Sequence, residues 1–280
     1  MTAEMTNPAP NPAPTPEPTT EEPLVLRHDA DGITRLTLNR AKAYNAMSVG
    51  LMHALLQELQ QIDRDPAVKV VVIEGSGKGF CAGHDLRELH NDPTTAFREK
   101  TFSLCSQVMK GVVGLRQPVI AKVHGIATAA GCQLVASCDL AVAADDARFG
   151  TPGVNIGLFC STPMVALSRA VPRKQAMEML LTGEMMDAQT AKAYGLINQA
   201  VPGDADALEE AVVAMADKVA SKSPKVLRTG KEAFYQQIEM GLEEAYDMTS
   251  KVMVENMAYR DAAEGIGAFL EKRNPIWTGE

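Results

Sequence analysis

The sequence lacks several features that would assign it to a large class of proteins. No apolar run approaches the ~18 residues that a membrane-spanning helix needs, which argues against an integral membrane protein. The five cysteines include no CxxC pair, so neither a disulfide scaffold nor a zinc ribbon is expected. With a net charge of −8 and a pI near 5.3, the chain also lacks the excess of positive charge that is typical of nucleic-acid binding proteins.

Nucleotide-binding motifs are missing as well. The glycines that follow the strand ending at Ile73 do not have the GxGxxG spacing of dinucleotide-binding folds, and the P-loop pattern GxxxxGK[ST] occurs nowhere. NAD and nucleoside triphosphates are therefore disfavoured, and no permanently bound cofactor or metal is expected. What remains is a chain of 280 residues, 46% hydrophobic and 22% charged, which is ordinary for a soluble globular protein of one large or two small domains.

The first 23 residues differ from the rest of the chain. They contain seven of its 16 prolines and no large aliphatic residue except methionine, so they cannot bury enough apolar surface to offset the entropy of ordering. We predict a disordered, Pro-rich tail at 1–23. It has neither the basic and apolar regions of a signal peptide nor the arginines of a transit peptide. Together with the unpaired cysteines, this predicts a cytoplasmic protein.

Strands alternate with helices in the first two thirds of the chain, and helices dominate the last third. Strands are predicted at 24–26, 33–38, 68–73, 119–123 and 139–142, and helices at 47–63, 94–115, 129–137, 162–170, 174–182 and 187–194. The segment 205–272 has the pattern of nearly continuous helix. We therefore predict an α/β core at 24–200 and a helical C-terminal region at 201–280.

Two glycine-rich stretches, 75–86 and 124–134, each follow a predicted buried strand. Glycine at such points permits positive φ and close approach of the backbone to a ligand, although it can also serve only to shape a tight turn. In the second stretch, the amides of Ala130 and Gly131 fall at the start of a predicted helix. Unpaired amides there, backed by the helix dipole, suit an anion or a developing oxyanion.

These motifs resemble those of a known family. The matching segments are Leu38-Asn39-Arg40, Asn45-Ala46-Met47, Phe80-Cys81-Ala82-Gly83-His84-Asp85-Leu86, His124-Gly125 with Gly131-Cys132-Gln133-Leu134, Cys138-Asp139, Leu181-Thr182-Gly183-Glu184 and Tyr194-Gly195-Leu196-Ile197-Asn198. In this order, over about 23–275, they resemble the enoyl-CoA hydratase/isomerase (crotonase) family. The resemblance implies a spiral core of ββα repeats with a helical C-terminal trimerisation region. It also implies a homotrimer or a hexamer made of two trimers.

The resemblance further implies chemistry on acyl-CoA thioesters, with coenzyme A present only as part of the substrate. The backbone amides of His84 and Ala130 would grip the thioester carbonyl and stabilise an enolate, as in the lyases and isomerases of fatty acid metabolism. Removing one such donor typically costs ~2.7–4 kcal/mol of transition-state stabilisation. The implied substrate- and CoA-binding residues are Lys42, Ala43, Tyr44, Ala82, Gly83, Asp85, Leu86, Gly131, Pro152 and Lys272. Lys272 would contact a CoA phosphate bound to a neighbouring subunit. Arg40 and Lys42 would provide positive charge for CoA, or they are only solvated surface charges.

The sequence departs from the family at the residues that carry out hydration. Family hydratases hold two glutamates over the substrate, and their positions are occupied here by Gln133 and Gly153. Glutamine does not exchange a proton near neutral pH, and glycine has no side chain. The remaining candidates for side-chain catalysis are His84, whose unperturbed pKa is near 6.5, and Cys160. Either His84 acts as an acid or base, or only its amide matters.

Four hypotheses follow from these substitutions. The chain is a hydratase-like enzyme that is weak or uses another base, or it is a malonyl-type acyl-CoA decarboxylase, which needs enolate stabilisation but no base. The Ala82-Gly83-His84-Asp85 segment resembles that of methylmalonyl-CoA decarboxylases. The third hypothesis is that the chain resembles the dihydroxynaphthoyl-CoA synthases, some of which have glycine at the Gly153 position and recruit bicarbonate as the base. The fourth hypothesis is a non-catalytic acyl-CoA binder.

Overall fold

The computed structural model describes residues 22–202 and 204–280. Most of the predicted Pro-rich tail, residues 1–23, therefore lies outside the described residues. Within the described part of the chain, no helix is long and apolar enough to cross a membrane.

The strands form two sheets. They are Val25–Ala30 (β1), Ile33–Leu38 (β2), Val70–Gly75 (β3), Val119–Val123 (β4), Ile126–Thr128 (β5), Leu140–Ala144 (β6), Arg148–Gly150 (β7), Met186–Asp187 (β8) and Gln199–Val201 (β9). The large sheet has the order β1-β2-β3-β4-β6-β9 and is parallel except for the antiparallel hairpin β1-β2. The small sheet has the order β5-β7-β8, with β5 and β7 parallel.

The helices are Val49–Ile62 (α1), Leu86–Asn91 (α2), Thr95–Gly114 (α3), Ala130–Ser137 (α4), Pro163–Ala170 (α5), Arg173–Thr182 (α6), Ala188–Tyr194 (α7), Ala205–Ala220 (α8), Pro224–Gln237 (α9), Leu242–Met257 (α10) and Arg260–Glu271 (α11). Two short 3₁₀ helices occupy Ala41–Ala43 and Pro152–Ile156. The α/β core and the helical C-terminal region are thus confirmed. In the consecutive strand pairs β4-β5 and β6-β7, the first strand lies in the large sheet and the second lies in the small sheet.

The central strands of the large sheet are buried on both faces, as their nearly continuous apolar sequences indicate. Along β3, Val71 and Ile73 pack into the core that contains α1, α3 and α4, whereas Val70 and Val72 pack against α8 on the opposite face. Helix α8 lies beyond the predicted core boundary at residue 200, yet it covers one face of the sheet. That boundary stays a prediction.

Sequence patterns missed the shortest elements. The strands β5, β7, β8 and β9 have two or three residues each, and α2 has six. Segments of this length are too short to show a hydrophobic period. These elements are set by hydrogen bonds to distant parts of the chain, and several of them surround the cavity described below.

A buried ion pair fastens the C-terminal helices to the core. Lys231 on α9 places its Nζ 2.7 Å from Asp139 Oδ2 and donates to the carbonyls of Val112 and Gln117. Tyr235 donates to the other carboxylate oxygen at 2.9 Å. Because the Lys231 side chain is only 8% exposed, water cannot replace the cation if it is removed.

We therefore expect Lys231→Met to lower the free energy of unfolding by roughly 3–5 kcal/mol, the cost of leaving one charge of a buried pair without its partner. Urea unfolding followed by circular dichroism measures this. The matched control is Arg169→Met, which breaks the exposed pair of Arg169 with Glu239 and should have little effect, because solvent screens it. Equal losses in the two variants would contradict a buried anchor.

Candidate active site

A cavity of about 670 Å³ opens between α2, α3, the start of α4 and the segment 152–163. Its lining is mainly apolar: Ala82, Leu86, Leu89, Phe102, Ala129, Pro152, Gly153, Ile156, Leu158, Phe159 and Pro163, together with His84, Thr128, Asn155, Cys160, Ser161 and Thr162. Within this lining of described residues there is no aspartate, glutamate, lysine or arginine. The cavity can therefore take an uncharged acyl group, and its titratable side chains are those of His84 and Cys160.

Two backbone amides near this cavity have no acceptor among the described residues: the amide of His84, which lines the cavity, and the amide of Ala130, which follows the lining residue Ala129. The chain around His84 is fixed to Met47, whose amide donates to the Gly83 carbonyl at 2.7 Å and whose carbonyl accepts from the Asp85 amide at 3.2 Å. These bonds leave the His84 amide free. In the described part of the chain, neither the His84 amide nor the Ala130 amide donates to a protein acceptor. The Ala130 amide belongs to the first turn of α4, where the helix has no internal acceptor for it.

Gly83 brings the two amides together. Its φ is +94°, and a Cβ added to it would lie 2.9 Å from the Ala129 Cβ and 3.4 Å from the Ala130 nitrogen. A side chain there would push the two segments apart, so glycine is required by both conformation and space. Because the His84 nitrogen is bonded to the Gly83 carbonyl carbon, it lies next to Ala130. Two adjacent unpaired donors of this kind can hold an oxyanion.

The start of α4 is also held in an unusual conformation. Ala129 has φ +49°, which is uncommon for a residue with a side chain, and its own amide donates to the Gly150 carbonyl at 2.9 Å. One residue into the helix, a Cβ on Gly131 would lie 2.1 Å from the Cys81 carbonyl oxygen. Gly131 is thus buried against the neighbouring segment and does not line the cavity. Its contribution is to bring α4 close enough for the Ala130 amide to reach the site.

The imidazole of His84 is neutral. Burial, which opposes the charged form, lowers the pKa of His84 to about 4. The ring meets Phe102 of α3 edge to face, with 5.1 Å between the centroids. Its Nε2 is inaccessible to solvent and has no hydrogen-bond partner among the described residues.

Gly153 and Cys160 lie together at the cavity wall. A Cβ on Gly153 would lie 2.5 Å from the Leu158 carbonyl oxygen and 2.8 Å from Cys160 Sγ. The Leu158 amide in turn donates to the Gly153 carbonyl at 2.9 Å, which folds the loop back onto this residue. Burial raises the pKa of Cys160, so its thiol is protonated at neutral pH and is a poor nucleophile.

Gln133 and Asp85 do not line the cavity. Gln133 is buried, and its Oε1 lies 3.8 Å from Cys105 Sγ, which donates to it. Asp85 is the N-cap of α2: its carboxylate accepts from the amides of Arg87 and Glu88 and pairs with Arg40 at 2.8 Å. Burial raises the pKa of Asp85, but these hydrogen bonds outweigh it and keep the pKa below its ordinary value. Arg40 is therefore part of the loop structure, not a free surface charge.

The other residues predicted to bind CoA lie in the cavity, on a neighbouring loop and at the end of α11. Ala82, Leu86 and Pro152 line the cavity. Lys42, Ala43 and Tyr44 lie on the loop beside it, which is tied to the site because the Ala82 amide donates to the Tyr44 carbonyl at 2.9 Å. Lys42 is exposed, as is Lys272, which caps the C-terminus of α11 in a left-handed conformation. Whether Lys272 serves a neighbouring subunit stays a prediction.

Sequence reasoning missed the apolar side chains that shape the cavity. Phe102 comes from the middle of α3, Ile156 is the last residue of the 3₁₀ helix Pro152–Ile156, and Leu158 and Phe159 follow in the loop after it. The last three are 42–59% exposed, which is unusual for large apolar side chains clustered in one segment. The only sign of this in the sequence is that three large apolar residues, Ile156, Leu158 and Phe159, lie within four positions of each other.

The chain belongs to the enoyl-CoA hydratase/isomerase family, whose model matches residues 28–280. The crotonase fold predicted from the motifs is confirmed by its solved relatives. Enoyl-CoA hydratase from Mycobacterium smegmatis superimposes with a TM-score of 0.89 at 50% identity, covering 91% of this chain and 99% of that one.

The motifs also agree with a particular group within the family. The human protein named enoyl-CoA hydratase domain-containing protein 3, mitochondrial, is 48% identical over 250 residues, which are 89% of this chain and 82% of the human one. A crystal structure of the human protein superimposes with a TM-score of 0.87 at 46% identity, covering 91% of this chain and all of that one. The human name refers to mitochondria. The cytoplasmic location that we expect for this chain is untested and stays a prediction.

The geometry at Gly153 predicts that a glutamate placed there will not supply a working base. Because the collision begins at Cβ, Gly153→Ala and Gly153→Glu should both lower the free energy of unfolding, by about 1–3 kcal/mol as for other overpacked sites. Gly230→Ala is the matched control, since a Cβ on Gly230 meets nothing within 4 Å. Urea unfolding measures all three. A stable Gly153→Glu variant that hydrates crotonyl-CoA would contradict this prediction.

Proposed function

We propose that this protein is an enzyme that binds acyl-CoA thioesters and acts on them through an enolate held by the amides of His84 and Ala130. The observation that carries the proposal is a pair of amides that have no acceptor among the described residues, that Gly83 brings close together, and that lie beside a largely apolar cavity lined by His84 and Ala129. When a proton or a carboxyl group leaves the α-carbon of a thioester, negative charge develops on the carbonyl oxygen. Donors already aimed at that oxygen lower the barrier without reorganising.

The reaction class that we favour is that of the enoyl-CoA hydratases and isomerases, the names carried by the relatives. Water addition to an enoyl thioester and double-bond migration both pass through this enolate. By the family resemblance, the positions of the two hydratase glutamates are occupied here by Gln133 and Gly153. A hydration reaction on this chain would therefore need a base other than those carboxylates.

A malonyl-type acyl-CoA decarboxylase is the second candidate. It is favoured by the lack of carboxylate side chains among the described residues of the cavity lining, because loss of CO2 needs enolate stabilisation but no base. A bicarbonate-assisted reaction of the synthase type is less favoured. The space beside Gly153 is filled by the Leu158 carbonyl and the Cys160 thiol, so little room is left there for a bicarbonate ion.

Homo-oligomerisation is part of the proposal. The C-terminal helices expose several large apolar side chains, namely Phe234, Ile238, Leu242, Tyr246, Met253, Val254, Met257, Phe269 and Leu270. A surface of this kind is typical of an interface between protein chains. It supports the trimer or hexamer that the family resemblance implies.

One survey separates the candidate reactions. Purified protein is incubated with crotonyl-CoA, octenoyl-CoA and methylmalonyl-CoA, and the thioesters are analysed by mass spectrometry. Gain of water identifies a hydratase, and loss of CO2 identifies a decarboxylase. A product of unchanged mass that elutes differently on chromatography identifies a double-bond isomerase. Thioesters that return unchanged in both mass and elution while raising the melting temperature identify a binder without catalysis.

The amide pair is tested with Ala130→Pro. Proline has no N–H and occurs at the first position of helices, so the variant loses one donor, and circular dichroism checks whether it keeps its fold despite the close contact with Gly83. We expect turnover of the substrate identified by the survey to fall about 10²–10³-fold, as when one oxyanion-hole donor is removed elsewhere. Ala205→Pro, at the first position of α8 and outside the cavity lining, is the matched control and should not affect turnover.

A spectroscopic measurement tests the same pair independently of turnover. Hydrogen bonds to the carbonyl of a conjugated enoyl thioester polarise it, so its absorbance should shift to longer wavelength on binding to the wild-type protein. Ala130→Pro should reduce this shift. A bound thioester with an unshifted spectrum would contradict the proposal, whatever the fold of the variant.

A further inference from the structure

Among the described residues that line the cavity, His84 is the one whose side chain carries a basic nitrogen. With no carboxylate in the described lining and a protonated thiol at Cys160, the remaining titratable group is the imidazole of His84. The same residue supplies one of the two amides, so its side chain starts one Cα away from the nitrogen that would hold the carbonyl oxygen. A group in that position lies close to the α-carbon of any thioester bound there.

The two ring nitrogens of His84 differ in their surroundings. Nε2 is inaccessible to solvent and has no hydrogen-bond partner among the described residues, and the ring packs against Phe102 in a T-shaped contact. A general base at Nδ1 needs its lone pair free, which requires the proton of the neutral ring to be on Nε2. A base of this kind therefore has its proton on Nε2 and its lone pair on Nδ1.

Nδ1 is also the nitrogen that remains for the cavity. Of the two ring nitrogens, only Nε2 is both inaccessible to solvent and without a partner among the described residues, and His84 lines the cavity. The charged groups nearby do not compete with it: the Asp85 carboxylate is turned to Arg40 and to the amides of α2. A neutral ring with its lone pair toward the substrate is the form that a general base needs.

We propose that Nδ1 of His84 removes and returns the proton at the α-carbon of the bound thioester, while the amides of His84 and Ala130 hold the oxygen. This inference rests on the proposed function. In the forward step, the Cα–H bond breaks, the proton goes to Nδ1, and the electron pair moves into the enolate whose charge lies on the thioester oxygen. In the reverse step, the imidazolium returns a proton to Cα, so no other reactant is required.

The test is exchange of the α-proton in heavy water. Butyryl-CoA and octanoyl-CoA have no double bond to hydrate and no carboxyl group to lose, so deuterium uptake at Cα, located by NMR, reports the proton transfer alone. We expect uptake with wild-type protein and a loss of at least about 100-fold in His84→Ala, the low end of the usual contribution of a general base. Alanine keeps the backbone amide at residue 84, so the absorbance shift of a bound enoyl thioester should persist in this variant.

Two further readings distinguish a base from a structural side chain. Added imidazole should restore exchange in His84→Ala, because it can enter the space left by the ring. His90→Ala, which removes an exposed histidine on α2, is the matched control and should exchange as the wild type does. Undiminished exchange in His84→Ala would overturn the proposal.

The remaining outcomes separate this inference from the proposed function. If the wild-type protein shifts the enoyl spectrum but exchanges no α-proton, the His84 base is overturned and the amide pair stands. If it neither shifts the spectrum nor exchanges, both are overturned. The tautomer has its own check: nitrogen-15 NMR should show the His84 ring neutral at pH 7 with its proton on Nε2, and a proton on Nδ1 would contradict the inference.

Discussion

The site depends on the close contact between the backbone at Gly83 and the first turn of α4. Two chain segments that are 46 residues apart in sequence meet so closely that a single added Cβ would collide with Ala129. The contact keeps two amides adjacent and without acceptors, an arrangement that costs free energy unless a ligand completes it. The protein tolerates this cost because the surrounding backbone is over-determined: Met47 bonds on both sides of His84, and the Ala129 amide is tied to Gly150.

The sheet is what makes this contact reproducible. The strands β3 and β4 are neighbours in a parallel sheet, so the segments that leave their ends emerge at the same edge. The Cys81 amide donates to the Ile126 carbonyl, and the Thr128 amide donates to the Cys81 carbonyl, which extends the pairing beyond the strands as far as the site. Gly131 of α4 then packs directly on Cys81, so the close contact between the two segments extends into the helix. The proposed oxyanion site is thus an extension of the sheet, so the positions of its two amides are set by a rigid element.

Much of this could be predicted from the sequence, and the reason differs from part to part. The long helices and buried strands were visible because residues 70–73 form a continuous β-branched run, Val119–Val123 is mostly apolar, and α1 and α3 have helical periodicity. Gly83 and Gly131 stood out because glycine beside a buried strand is costly unless conformation or space requires it. The environment of a side chain was not predictable in this way. Nothing in the sequence indicates that Phe102 meets His84, that Gln133 turns to Cys105, or that Leu158 fills the space beside Gly153, because each contact joins elements through the tertiary fold.

The loop beside Gly153 changes how the missing carboxylate should be understood. A glutamate replaced by glycine on an unchanged backbone would leave an open space, which a water molecule or an anion could fill. Here the Leu158 carbonyl and the Cys160 thiol occupy that space, and the Leu158 amide bonds back to the Gly153 carbonyl. The wall of the cavity at Gly153 therefore has no open space for a carboxylate, and the Cys160 thiol beside it stays protonated because it is buried. Because the lining is largely apolar and the imidazole of His84 is neutral, the cavity favours substrates whose acyl group is uncharged.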